Sequence, residues 1–136
     1  MDIPEREKVL LRRSFERLEP KVPEASVEFY ETLFELGPHL RRLFREDDMS
    51  GQGMRFMTAL GVIIGHLDDP ESLRERLAHL GRSHANFGLT REDYRLMEEA
   101  LFLTLREALA PDFDAATQTA WRRVFRQITE AMAPKD

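Results

Sequence analysis

An all-α fold is what this sequence predicts, and three observations carry the prediction. Apolar residues recur at steps of three and four along nearly the whole chain, the period of one helix face, and no stretch shows the sustained alternation of a half-buried strand. The apolar runs are separated by short clusters of proline, glycine and aspartate of the kind that stop one helix and start another. At 136 residues the chain is long enough to bury roughly two thirds of its unfolded surface, so a single domain spanning residues 1–136 with a real core is expected.

The first helix is expected from about Pro4 to Leu18, with Asp2 and Glu5 spaced as a capping pair, Leu11, Phe15 and Leu18 on one face, and Pro20 as its stop. A second begins near Pro23, buries Ala25, Phe29, Leu33 and Leu36, and breaks at Gly37 and Pro38. PHLRRLF has room for little more than two turns. The polar REDDMSGQG reads as a loop into a longer helix from about Gly51 to Leu67, whose inner face is Phe56, Leu60, Ile63 and Leu67. Asp68, Asp69 and Pro70 open the next helix, which stops around Phe87 and Gly88. Thr90 and Asp93 form another capping spacing, ahead of a face made by Tyr94, Met97, Leu101 and Leu105. After APDFD, Asp114 caps a last helix with Trp121, Val124, Ile128 and Met132 inward. The sum is six substantial helices and a short one.

Charge and composition remove several functions. The chain carries 20 basic and 25 acidic residues, net −5, with the signs interleaved, which argues against nucleic acid and anionic membrane surfaces as partners. No run has the apolar length a bilayer requires, and MDIPEREKV places charges where a secretory leader has its apolar region, so a cytoplasmic address is expected. With no cysteine, thiolate metal sites, thiol nucleophiles and thioether attachment of haem are all excluded. Histidine is the remaining borderline ligand, and only His39, His66, His79 and His84 exist. His79 and His84 lie five apart, about 140° around a helix, so no two-histidine zinc face is formed by them.

Four residues stand out against this pattern. The inward stripe Leu73, Leu77, Leu80 continues by a step of four onto His84, an imidazole where a leucine is expected. It is either a core histidine bonded to a backbone carbonyl or a ligand. Gln52 lies one turn before Phe56 on the same inward face, a position where glutamine also satisfies helix N-terminal groups. Tyr30 is a core aromatic or a donor into the interior, and Phe44 is a corner plug or a stacking ring.

Their joint order is informative. FYETLF, LRRLF, DMSGQGMRFMTALG, LGRSHANFGL, TREDYRLM and the AW of the last helix, in that sequence and at those separations, resemble the bacterial single-domain globins, close to the haem domain of flavohaemoglobins, from about Leu10 to Met132. The resemblance implies a globin fold, six long helices plus short ones around a haem pocket. It implies haem b as cofactor and His84 as the proximal iron ligand ahead of the aromatic–glycine turn at Phe87 and Gly88. Phe44 matches the haem-stacking phenylalanine, Tyr30 the distal tyrosine and Gln52 the distal glutamine. Phe56 is then expected over the distal side, Leu80 and Met97 as apolar wall, Arg55 near a propionate, and Ser83 as acceptor of the His84 ring proton or as a propionate contact. In the flavohaemoglobin group a tyrosine and a carboxylate make the proximal histidine more basic. Tyr94 matches the tyrosine, whereas the carboxylate position falls at Asp136.

The function implied is reversible binding of dioxygen and other diatomic ligands, nitric oxide and carbon monoxide among them, with an oxygen-transport role and slow release. Three alternatives use the same residues or fewer. One is a nitric oxide dioxygenase served by an external reductase, since no G-x-G-x-x-G or strand pattern for a flavin or nicotinamide module is present. The second is a gas sensor, and the third a cofactor-free helical interaction module with His84 in its core.

Overall fold

The computed structural model describes residues 2–43 and 49–133, and the structured elements among them are all helical. In chain order these are α1 (Glu5–Leu18), a 3-10 turn (Glu19–Lys21), α2 (Val22–Leu36), a 3-10 helix (Pro38–Leu43), α3 (Met49–Gly65), α4 (Pro70–His84), a 3-10 turn (Ala85–Phe87), α5 (Arg91–Leu109) and α6 (Ala115–Met132).

Most boundaries follow the local signals. Asp69 accepts from the Ser72 N–H at 3.2 Å and starts α4, and Asp114 accepts from the Thr117 N–H at 2.9 Å and starts α6. At α5 the expected reciprocal cap forms: Thr90 Oγ1 accepts from the Asp93 N–H while the Asp93 carboxylate accepts from the Thr90 N–H. Each such bond satisfies a helix donor that has no intrahelical partner.

One local expectation fails for a physical reason. Asp2 and Glu5 do not cap α1, which begins after Pro4 without a side-chain cap. The Asp2 N–H is instead committed to Gln127 Oε1 on α6 at 2.9 Å, and Gln127 Nε2 returns a bond to the Asp2 carbonyl. The end of α1 at Leu18 is the one expected from Pro20, which sits in the tighter 3-10 turn that follows, where a first-turn proline is tolerated. The helix expected from about Gly51 to Leu67 runs from Met49, inside REDDMSGQG, to Gly65, about two residues earlier at each end than the apolar pattern indicates.

Two sets of helix contacts, joined in one hydrophobic core, organise the packing. In one, α1 lies along α6, and Trp121, fully buried, donates its indole N–H to Ser14 Oγ at 2.8 Å. Ser14 passes the chain of bonds on by donating to the Leu10 carbonyl at 2.8 Å. Close approach of α1 to α3 depends on Gly61, where a methyl group would stand 2.8 Å from the Phe15 ring. In the other, α2 carries α3 and α5 while α6 carries α4. Helices α3 and α4 therefore hang from different supports and face each other across a cavity. Gly88, at φ +68°, makes the left-handed turn that ends the 3-10 segment after His84 and sends the chain toward α5.

Candidate haem site

The cavity between α3 and α4 has a volume of about 380 Å³ and walls of aromatic and aliphatic side chains. That size is within the range of small-molecule and cofactor sites. Most residues singled out in the sequence meet there. Tyr30 reaches it from α2, Arg55 and Phe56 from α3, Leu80 and His84 from α4, Phe87 from the 3-10 turn, and Tyr94 and Met97 from α5.

His84 is the last residue of α4 and is half-buried. Its Nδ1 lies 2.8 Å from the Leu80 carbonyl oxygen. A carbonyl only accepts, so Nδ1 carries the proton and the neutral ring keeps its lone pair on Nε2. Of the two roles expected for Ser83, the first is thus taken by Leu80, and Ser83 itself is solvent-exposed and outside the cavity lining. The Phe87 ring meets the imidazole edge-on, centroids 5.4 Å apart at 88°, and limits its rotation. Phe87 is nonetheless 48% exposed, a large apolar ring at the rim of an apolar cavity.

On the α2 side, Phe29 is a hub. It stacks on Phe56 at 4.1 Å and 13° and meets Tyr30 edge-on at 5.0 Å, so the positions of both rings are set by core packing. Tyr30 is 6% exposed. Burial pushes its phenol up to about 12, with the nearby Arg55 charge pulling the other way, so the hydroxyl remains a neutral donor across the physiological range. Tyr94 is 4% exposed, and burial followed by the neighbouring Asp93 charge raises its phenol too.

Several expected residues are not placed here. Phe44 and Asp136 lie outside the described residues, and Gln52 is in the first turn of α3 with its side chain outside them. Other lining residues had been read only as core. Ile128 and Met132 continue the α6 stripe past Trp121 and Val124 into the cavity wall, just as His84 continues the α4 stripe. Ala59 and Leu43 carried no sequence signal beyond being small or apolar.

The donor set fits a metal held by a macrocycle. One neutral imidazole with its acceptor nitrogen uncommitted to backbone lines an apolar chamber, and among the described residues no group of three or more His, Cys, Asp or Glu forms a site for a bare ion. A metal that brings four equatorial nitrogens of its own needs only the one protein ligand.

The sequence profile of the globin family matches residues 27–132, α2 through α6. The chain belongs to the globin family. Neuroglobin of Danio rerio is 30% identical over 142 residues, covering 94% of this chain and 89% of that protein. Neuroglobin of Chaenocephalus aceratus is 31% identical over 143 residues, covering 95% and 89%. Membership of this family suggests haem-based gas binding.

Proposed function

We propose that this globin is a b-type haem protein that binds dioxygen reversibly, with His84 on the iron and Tyr30 and Gln52 facing the ligand. The observation that carries the reading is the His84–Leu80 bond. By fixing the proton on Nδ1 it presents Nε2, the form a metal requires, from the wall of an apolar cavity. The haem iron supplies a coordination position for dioxygen and other diatomics. With no cysteine in the chain, thioether attachment is excluded and the macrocycle would be held by coordination and packing alone, as haem b is.

The remaining residues have distinct tasks. Leu80, Met97 and Phe56 would exclude water and shape the chamber, and Phe44 would stack on the macrocycle edge. Phe87 loses its exposure against the cofactor rim. Arg55, exposed at its head while lining the cavity, pairs with a propionate by snorkelling. Tyr30 donates its O–H to the diatomic ligand, a bond worth about 1.5–3 kcal/mol to an acceptor that gains charge, or roughly tenfold to hundredfold slower escape. The tyrosine–glutamine pair is what likens the chain to flavohaemoglobin haem domains.

The nitric oxide dioxygenase reading needs an external reductase and is better served by a strongly basic proximal histidine. A peptide carbonyl, not a carboxylate, accepts the His84 proton, which favours the reversible carrier. Hemin titration of the purified chain tests the proposal. An intense Soret band in the wild type and its loss in His84→Ala are expected, and a chain that stays colourless overturns the reading.

A further inference from the structure

Globin ligands must reach the interior. A second depression of about 400 Å³ lies on the outer side of the α3–α4 cleft, with Val62 on one bank and Ser72, Arg76 and His79 on the other. Its floor is Ala59, Ile63 and Leu80, and the same three residues line the interior cavity. Groove and cavity are thus separated by a wall one side chain thick.

The three floor residues differ in stiffness. Ile63 is buried and β-branched, with little χ1 freedom, while Ala59 contributes only a methyl group. Leu80 is partly buried and unbranched at Cβ. Its backbone is tied by the carbonyl bond from His84, yet its side chain can change rotamer without breaking that bond. The weak point of the wall is Leu80 against Ala59. Its faces are apolar, so ions and hydrated solutes gain nothing by entering, whereas an apolar molecule of two atoms loses nothing.

We propose that the α3–α4 groove is an entry port for small apolar gas molecules, opening into the cavity through rotation of Leu80 past Ala59. The proposal rests on the haem-globin reading only for its physiological ligand, dioxygen. Its consequence is a division of labour in which Tyr30 sets escape and Leu80 sets entry.

Two measurements test it. In the holoprotein, His79→Trp places an indole across the groove mouth and Leu80→Ala thins the wall. After laser photolysis of the carbon monoxide complex, bimolecular rebinding is expected to slow at least about threefold in His79→Trp, a barrier change of roughly 0.7 kcal/mol, with its Soret maximum unmoved, and to quicken in Leu80→Ala. Unchanged rebinding in both variants overturns the port. Independently, crystals under xenon pressure are expected to show xenon in the groove against Ala59 and Leu80, and an empty groove overturns it equally. Failure to take up hemin would remove the function proposed above, while the xenon result would still decide the port.

Discussion

Two histidines in this globin make the same local bond in different surroundings. His66, just after α3, lies with Nδ1 2.7 Å from the Val62 carbonyl, and His84, closing α4, lies with Nδ1 2.8 Å from the Leu80 carbonyl. Both are half-buried, and with the proton on Nδ1 the neutral form of either ring has its lone pair on Nε2. His66 borders a broad groove between α1 and α3 that also contains the charged residues Arg12, Glu16 and Glu19. His84 borders the apolar chamber, where an uncoordinated nitrogen has little to bond. The backbone bond selects the tautomer, and the neighbourhood decides what the other nitrogen meets.

The largest effect is expected from breaking that contrast directly. His84→Ala should weaken hemin binding more than about hundredfold, since even outer partners of metal ligands are worth 10- to 100-fold. His66→Ala should leave the Soret band and hemin affinity as they are. Equal losses in the two variants, read by spectrophotometric titration, would mean that the cavity does not discriminate between them.

Next in size is the residue opposite. Tyr30→Phe should accelerate oxygen dissociation by at least about tenfold, measured by stopped-flow displacement with carbon monoxide. Because the Tyr30 phenol is pushed up to about 12, the wild-type rate should stay flat on raising the pH from neutrality to about 10, the ordinary tyrosine value. A rate that climbs through that interval would place the donor elsewhere.

The α1–α6 half offers the converse. Ser14→Ala leaves the buried Trp121 N–H without its acceptor and should lower stability by about 1–3 kcal/mol in urea unfolding. Hemin affinity and oxygen release should not change. Coupled changes in both would show that the two halves are not separable.

How much of this was legible in the sequence depends on the range of the interaction. Helices and their caps at Asp69, Thr90–Asp93 and Asp114 are local, and the pattern gave them. The Asp2–Glu5 cap failed because Gln127, on the last helix, takes Asp2, and nothing near residue 2 records that. In the site, the leucine stripe running onto His84 was visible because helix periodicity turns an inward polar residue into an anomaly. The proton acceptor of His84 was not, since every residue four positions upstream offers a carbonyl and Ser83 offered a more conspicuous oxygen. Ala59 and Met132 became cavity residues only when separate helices were brought together.

A third histidine supplies the smallest effect. His39, in the 3-10 helix before position 44, has its Nε2 2.7 Å from Asp93 Oδ1, so its partner is the carboxylate that also closes the α5 cap beside Tyr94. Burial alone would raise the Asp93 carboxyl, but the Thr90 N–H, the His39 ring and the Thr90 hydroxyl outweigh it and hold the group below its usual range. A carboxyl depressed in the folded state adds stability that is complete above the unfolded value of about 3.9 and disappears as the pH falls through the folded one. Asp93→Asn should therefore be less stable than wild type by about 1 kcal/mol near pH 5, the worth of a cap. The difference should shrink as acid protonates the wild-type group, followed by urea unfolding between about pH 5 and pH 2. If it held constant across that range, the charge on Asp93 would contribute nothing, and the His39 contact would be no more than proximity.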